Sequence, residues 1–174
     1  MPERQSILTP FLMLIGIFLL IVWGVGALNT GNWGWFLPFQ PEFEPARILV
    51  RRAGQSYEYR PGDPGFSELS EALNSSFSDF SNSSLVPLGL SEETLQAYNE
   101  SATVIEAFYP QPIRFNSPVR MDQINQVLIP IEGRHAGNRY VFLGVDGRWL
   151  AGTMVMHDDT QISEVMRTLG HLSN

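Results

Sequence analysis

The chain groups an imidazole with carboxylates at one compact place, His157-Asp158-Asp159. Such a triplet has the makings of an acid/base pair or a divalent-metal site. Its position argues for a humbler role. It lies where an apolar strand pattern gives way to an amphipathic helical one, and there Asp159 or Thr160 is wanted as an N-cap. No second histidine follows at helical ligand spacing. His135 sits in Gly133-Arg134-His135-Ala136-Gly137-Asn138, a loop of the kind that can expose a catalytic imidazole but more often only connects strands. His171 is expected to face solvent or lie beside a helix end, where its cation would be favoured.

Other chemistries are excluded by composition. All eleven basic residues are Arg, so no Schiff-base or phosphate-loop lysine exists. Cys is absent, which removes thiol nucleophiles, thiolate metal sites and disulfides. No serine stands in G-x-S-x-G, and Gly144-Val145-Asp146-Gly147 is a hairpin turn, not a phosphate cradle. No cofactor or metal is expected. The net charge of −7 repels phosphate backbones, so nucleic acid is not an expected partner. Arg51-Arg52 offers a basic pair for an acidic partner or headgroups, with a solvated hairpin as the plainer reading.

Positioning begins with Ile7–Leu28, which carries no charge and one polar residue, Thr9. A helix of that length rises roughly 33 Å, enough to cross a hydrocarbon core of about 30 Å. The rival reading is a cleaved signal peptide, with Arg4 before the apolar run and small residues at Val25-Gly26-Ala27. The run is longer than a signal-peptide core of about 7–15 residues, and aromatics follow it at once. Trp33, Trp35, Phe36 and Phe39 are expected at headgroup depth. An uncleaved anchor is therefore expected, its bilayer contact made through residues 7–28. Arg4 precedes the span and Arg47 is the first basic residue after it, which places the N-terminus in the cytoplasm and the remainder outside.

This divides the chain into a tail (1–6), an anchor (7–28), an aromatic, proline-bearing linker (29–45) and one domain (46–174). From Arg47 the pattern turns to β. Arg47–Arg52 and Ser56–Arg60 read as a hairpin, and Asp63-Pro64 reads as an N-cap and first position of a helix presenting Phe66, Leu69, Ala72, Leu73, Phe77 and Phe80. Ser91-Glu92-Glu93 opens a short helix. Thr103–Tyr109 and Ile113–Phe115 read as two strands split by Pro110-Gln111-Pro112. Ile124–Glu132 reads as a strand whose Pro130 demands an edge or a bulge. Asp146-Gly147 joins two strands, and Ile162, Val165, Met166 and Leu169 mark a last helix ended by Gly170. Three N-x-S/T matches, at Asn74, Asn82 and Asn99, carry no weight in so Ser/Asn-rich a stretch.

The expected fold is α+β: one antiparallel sheet of hairpins with two main amphipathic helices, compatible with two ββα units. The expected function is a non-catalytic interaction or accessory domain for a protein partner at the membrane. The alternatives are a tethered hydrolase or metal-dependent enzyme using His135 or His157/Asp158/Asp159, and a small-ligand sensor.

Overall fold

The computed structural model describes residues 8–31, 33–37, 42–78, 85–115, 123–156 and 158–173. Helix α1 (Leu8–Thr30) leads the chain and buries only Ala27. Strands β1 (Arg47–Arg52) and β2 (Gln55–Tyr59) are followed by helix α2 (Phe66–Phe77), the two-residue strand β3 (Leu85–Val86) and helix α3 (Glu92–Glu100). Strands β4 (Thr103–Ile113), β5 (Ile124–Glu132), β6 (Tyr140–Val145) and β7 (Arg148–Val155) precede helix α4 (Thr160–Thr168). The strands form one antiparallel sheet in the order β2-β1-β4-β5-β6-β7-β3. An apolar N-terminal helix followed by an α+β sheet domain is thus the architecture.

Period-two alternation sends each strand's apolar residues to opposite faces, and both faces are covered. On one face α2 and α4 pack against each other and onto Ile48, Val50, Ile105, Ala107, Val127, Ile129 and Leu143. On the other, Tyr98 of α3 packs with Val104, Leu128 and Phe142, with Leu88 and Leu90 alongside. Helix α3 therefore makes a third helical element of the domain, on the face opposite the two main ones. Ser91 caps it, its hydroxyl accepting from the Thr94 N–H at 3.2 Å.

Both hairpin turns place their central residues at positive φ, as two-residue turns matching the strand twist require. Asp146 and Gly147 lie at 49° and 80°, Ala53 and Gly54 at 47° and 80°. Asp tolerates this region; Ala53 does so under strain, which hid the hairpin's turn type from sequence reading.

Several expectations are corrected. Helix α2 begins at Phe66, after Gly65, and Asp63 does not cap it. Asp63 instead closes a turn, its carboxylate accepting from the Arg60 N–H at 2.7 Å. Gly65 is needed there twice over: its φ is 89°, and a Cβ would come within 2.6 Å of Leu169 Cδ2 at the end of α4. Pro110 and Pro112 do not split a strand. Strand β4 runs through them as a bulge, its pairing with β5 skipping from Phe108–Gln126 to Ile113–Ile124, so no ladder N–H is asked of either proline. Pro130 lies on an interior strand, at the irregularity between Thr103 and Val104, so its bulge reading holds and its edge reading does not. Phe80 and the Asn82 triplet lie outside the described residues. Phe43, for which both the linker and the domain edge were open, packs with the domain: Asn74 holds its backbone with two hydrogen bonds (3.1 and 3.0 Å), and its ring meets Tyr109 and Phe115 edge-on.

Candidate functional site

Of the His157-Asp158-Asp159 triplet, His157 lies outside the described residues. Asp158 carries the cap, its Oδ1 accepting from the Thr160 N–H at 3.0 Å and the Thr160 hydroxyl at 2.5 Å. Asp159 occupies the N-cap position by backbone but makes no side-chain cap bond. The cap expected of Asp159 is therefore supplied one residue earlier. Among the described residues, no group of three or more His, Asp or Glu could hold a metal ion.

His135 is held at φ 67° in its loop, with Nδ1 2.8 Å from the Tyr98 hydroxyl. Tyr98 donates its single proton to the Arg134 carbonyl at 3.1 Å, so it accepts from Nδ1–H of the imidazole. The ring also packs near Tyr140 and Phe142. Burial, with Arg134 beside it, lowers the His135 pKa. The imidazole ties its loop to α3.

His171 lies beside a helix end, one of its two expected placements, but its cation is not favoured there. It is buried, only 4% exposed, at the end of α4, where Gly170 at φ 78° terminates the helix and the His171 N–H reaches back to the Met166 carbonyl at 2.8 Å. Its Nε2 lies 2.5 Å from the Tyr59 hydroxyl and its ring 4.6 Å from that of Tyr57. Arg52 donates to the Gly170 carbonyl at 2.6 Å. The basic pair is thus used internally: Arg52 ties the first hairpin to α4, and Arg51 forms a two-pronged ion pair with Glu106. Burial and Arg52 lower the His171 pKa, so the folded state prefers the neutral ring. A base depressed on folding stabilises at pH above its unfolded value of about 6.5 and loses that contribution as pH falls below it. Thermal unfolding of the full chain should accordingly show a melting temperature that drops between pH 7.5 and 5, with His171→Gln removing part of the drop. An identical pH dependence in the variant would refute this assignment.

Sequence reading passed over Glu106. It lies in a central strand, 3% exposed, and burial raises its pKa against the opposing pull of Arg51. The available signal was a lone acid inside the apolar run Thr103–Tyr109 with a basic pair elsewhere to meet it.

Two open clefts flank the extended segment 42–45. One, about 530 Å³, runs along the β4 bulge from Tyr109 to Arg114; the other, about 710 Å³, faces Phe66, Ser70, Glu71 and Asn74 of α2. Glu42, Phe43, Glu44 and Pro110 border both, and no histidine lines either. Tyr109 supplies an anomaly. Its hydroxyl is buried without a hydrogen-bond partner among the described residues, and burial raises its pKa. An unsatisfied buried hydroxyl costs about 1–3 kcal/mol. Tyr109→Phe should therefore stabilise the domain by about 1 kcal/mol or more in a urea titration, and a loss of stability would mean the hydroxyl has a partner.

The expected membrane-interface aromatics sit at the end of α1. After Thr30 the chain turns back: the Trp23 indole donates to the Trp33 carbonyl at 3.0 Å, and the Trp35 indole donates to the Trp23 carbonyl at 3.2 Å. The rings of Trp23 and Trp33 lie 5.1 Å apart, and Trp33, Phe36 and Leu37 remain exposed. Phe39 lies outside the described residues.

No protein-family model matches the chain, and neither a curated protein nor a solved structure matches it.

Proposed function

We infer that this is a single-pass membrane protein whose sheet domain is a non-catalytic interaction or accessory module held outside the cytoplasm. The observation that carries the anchor is α1 itself. Its 23 residues include no charge, and it buries only Ala27, whereas α2, α3 and α4 each bury one face against the sheet. A helix apolar all round with a single buried residue is at home in hydrocarbon. The aromatic turn at its C-terminal end suits headgroup depth. Orientation follows from Arg4 before the span and the long wait for Arg47 after it.

The non-catalytic reading draws support from how His135, His171 and Asp158 are used. His135 anchors a loop, His171 a helix end, and Asp158 a cap; none lines a cleft. The hydrolase alternative needs an imidazole opening onto a substrate cleft. An anchor raises the effective concentration of the domain for a protein partner in the same membrane. The domain itself reads as two ββα units, β1-β2-α2 and β6-β7-α4, flanking the β4–β5 pair with their helices side by side.

Protease treatment of sealed spheroplasts carrying the full chain tests the topology. The domain should be digested from outside while the chain resists carbonate extraction. A domain protected until the membrane is broken would overturn the orientation, and release by carbonate would overturn the anchor.

A further inference from the structure

The small residues Val25 and Ala27 stand three and one positions before the Ala27–Leu28 bond, the pattern signal peptidase reads. Here that bond lies within α1, which continues to Thr30. The Thr30 hydroxyl donates to the Gly26 carbonyl at 2.8 Å across it. The Trp35 ring lies on Gly26 so closely that a Cβ there would come within 2.7 Å of three indole atoms. At Gly24 the same position meets nothing within 4 Å, so the close approach is particular to Gly26. Ala27 is the one buried residue of the helix.

We propose that the turn carrying Trp33 and Trp35 guards the Ala27–Leu28 bond from signal peptidase, making a permanent anchor of a cleavable leader. The proposal rests on reading α1 as a membrane span. Proteolysis needs locally opened backbone. Opening this turn would break the Thr30 contact and strip Trp35 from Gly26. It would also part the two indole hydrogen bonds that join Trp23, before the bond, to Trp33 and Trp35, after it. Were it opened, water would add across the amide under peptidase catalysis. Hydroxyl would go to the Ala27 carbonyl carbon and hydrogen to the Leu28 nitrogen, the C–N bond breaking to leave a chain starting at Leu28.

Intact-mass measurement on the full chain, expressed in a bacterial host with active signal peptidase, tests this. Trp35→Ala removes the guard. Gly26→Leu displaces it sterically while keeping Val25 and Ala27. Each should yield at least about fivefold more chain starting at Leu28 than the unmodified protein, since losing about one hydrogen bond's worth of stability shifts an equilibrium about fivefold. Adding Ala27→Arg to either variant should abolish that product. Both variants remaining full-length would overturn the guard and leave the anchor standing. Ragged fragments indifferent to Ala27→Arg would also overturn the guard. An unmodified protein already starting at Leu28 would overturn the anchor, and the guard with it.

Discussion

Arg51→Met should destabilise the domain by about 3–5 kcal/mol at neutral pH, the cost of leaving a buried charge without its partner. The side chain of Glu106 is 4% exposed and that of Arg51 23%, so the guanidinium can turn to water but the carboxylate cannot. Without Arg51, burial, the largest influence, raises the Glu106 pKa against Arg47 alone. A carboxyl raised on folding contributes stability below its unfolded value of about 4.3 and loses it as pH rises through the folded value. The variant should therefore recover stability relative to the parent when pH is lowered from 7 to 5. Replacing both residues, Arg51→Met with Glu106→Leu, should restore most of the loss, because a paired charge exchanged for apolar volume is often neutral. Urea titrations of the full chain in detergent at the two pH values check this. A single variant within a few tenths of the parent would mean that water reaches Glu106.

Phe77→Ala should cost a similar amount, about 3–5 kcal/mol, for a different reason. Phe77 is 1% exposed at the end of α2, and its ring meets Phe115 edge-on at 5.4 Å. Phe115 in turn meets Phe43, so truncation opens a hole beneath the segment that enters the domain. The denaturation midpoint should fall with the slope unchanged, as expected when only native packing is lost. A shift of a few tenths of a kcal/mol would mean the aromatic cluster closes over the gap.

What the sequence revealed and what it concealed divide along the range of the interactions. The face of α2, the cap at Ser91, the Asp146-Gly147 turn and the stop at Gly170 were legible because each depends on neighbours within a few residues. The start of α2 was misread because Gly65 answers to Leu169, a side chain from the far end of the domain. Pro110 and Pro112 looked like breakers because the bulge that absorbs them exists only against β5. The surroundings of the candidate residues were hidden for the same reason. His135, His171 and Arg51 each looked free in one dimension, and their partners Tyr98, Tyr59 and Glu106 come from other elements. The Ala27–Leu28 motif and the indole that covers Gly26 were both visible, but their contact was not.

The strand order bears on how the chain is made. Strand β1 must pair with β4, Arg47 opposite Phe108, across everything that lies between them in sequence. As the chain leaves the ribosome, the first hairpin emerges with one long side unpaired, and it waits for β4 and then β5 before the sheet can close. High contact order of this kind makes folding slow and leaves apolar edges open to wrong pairing. If α1 is by then lodged in a bilayer, each nascent domain is confined near a surface shared with its siblings while β1 is still bare. The finished sheet thus hides an interval in synthesis when β1 offers an open edge that only β4 closes.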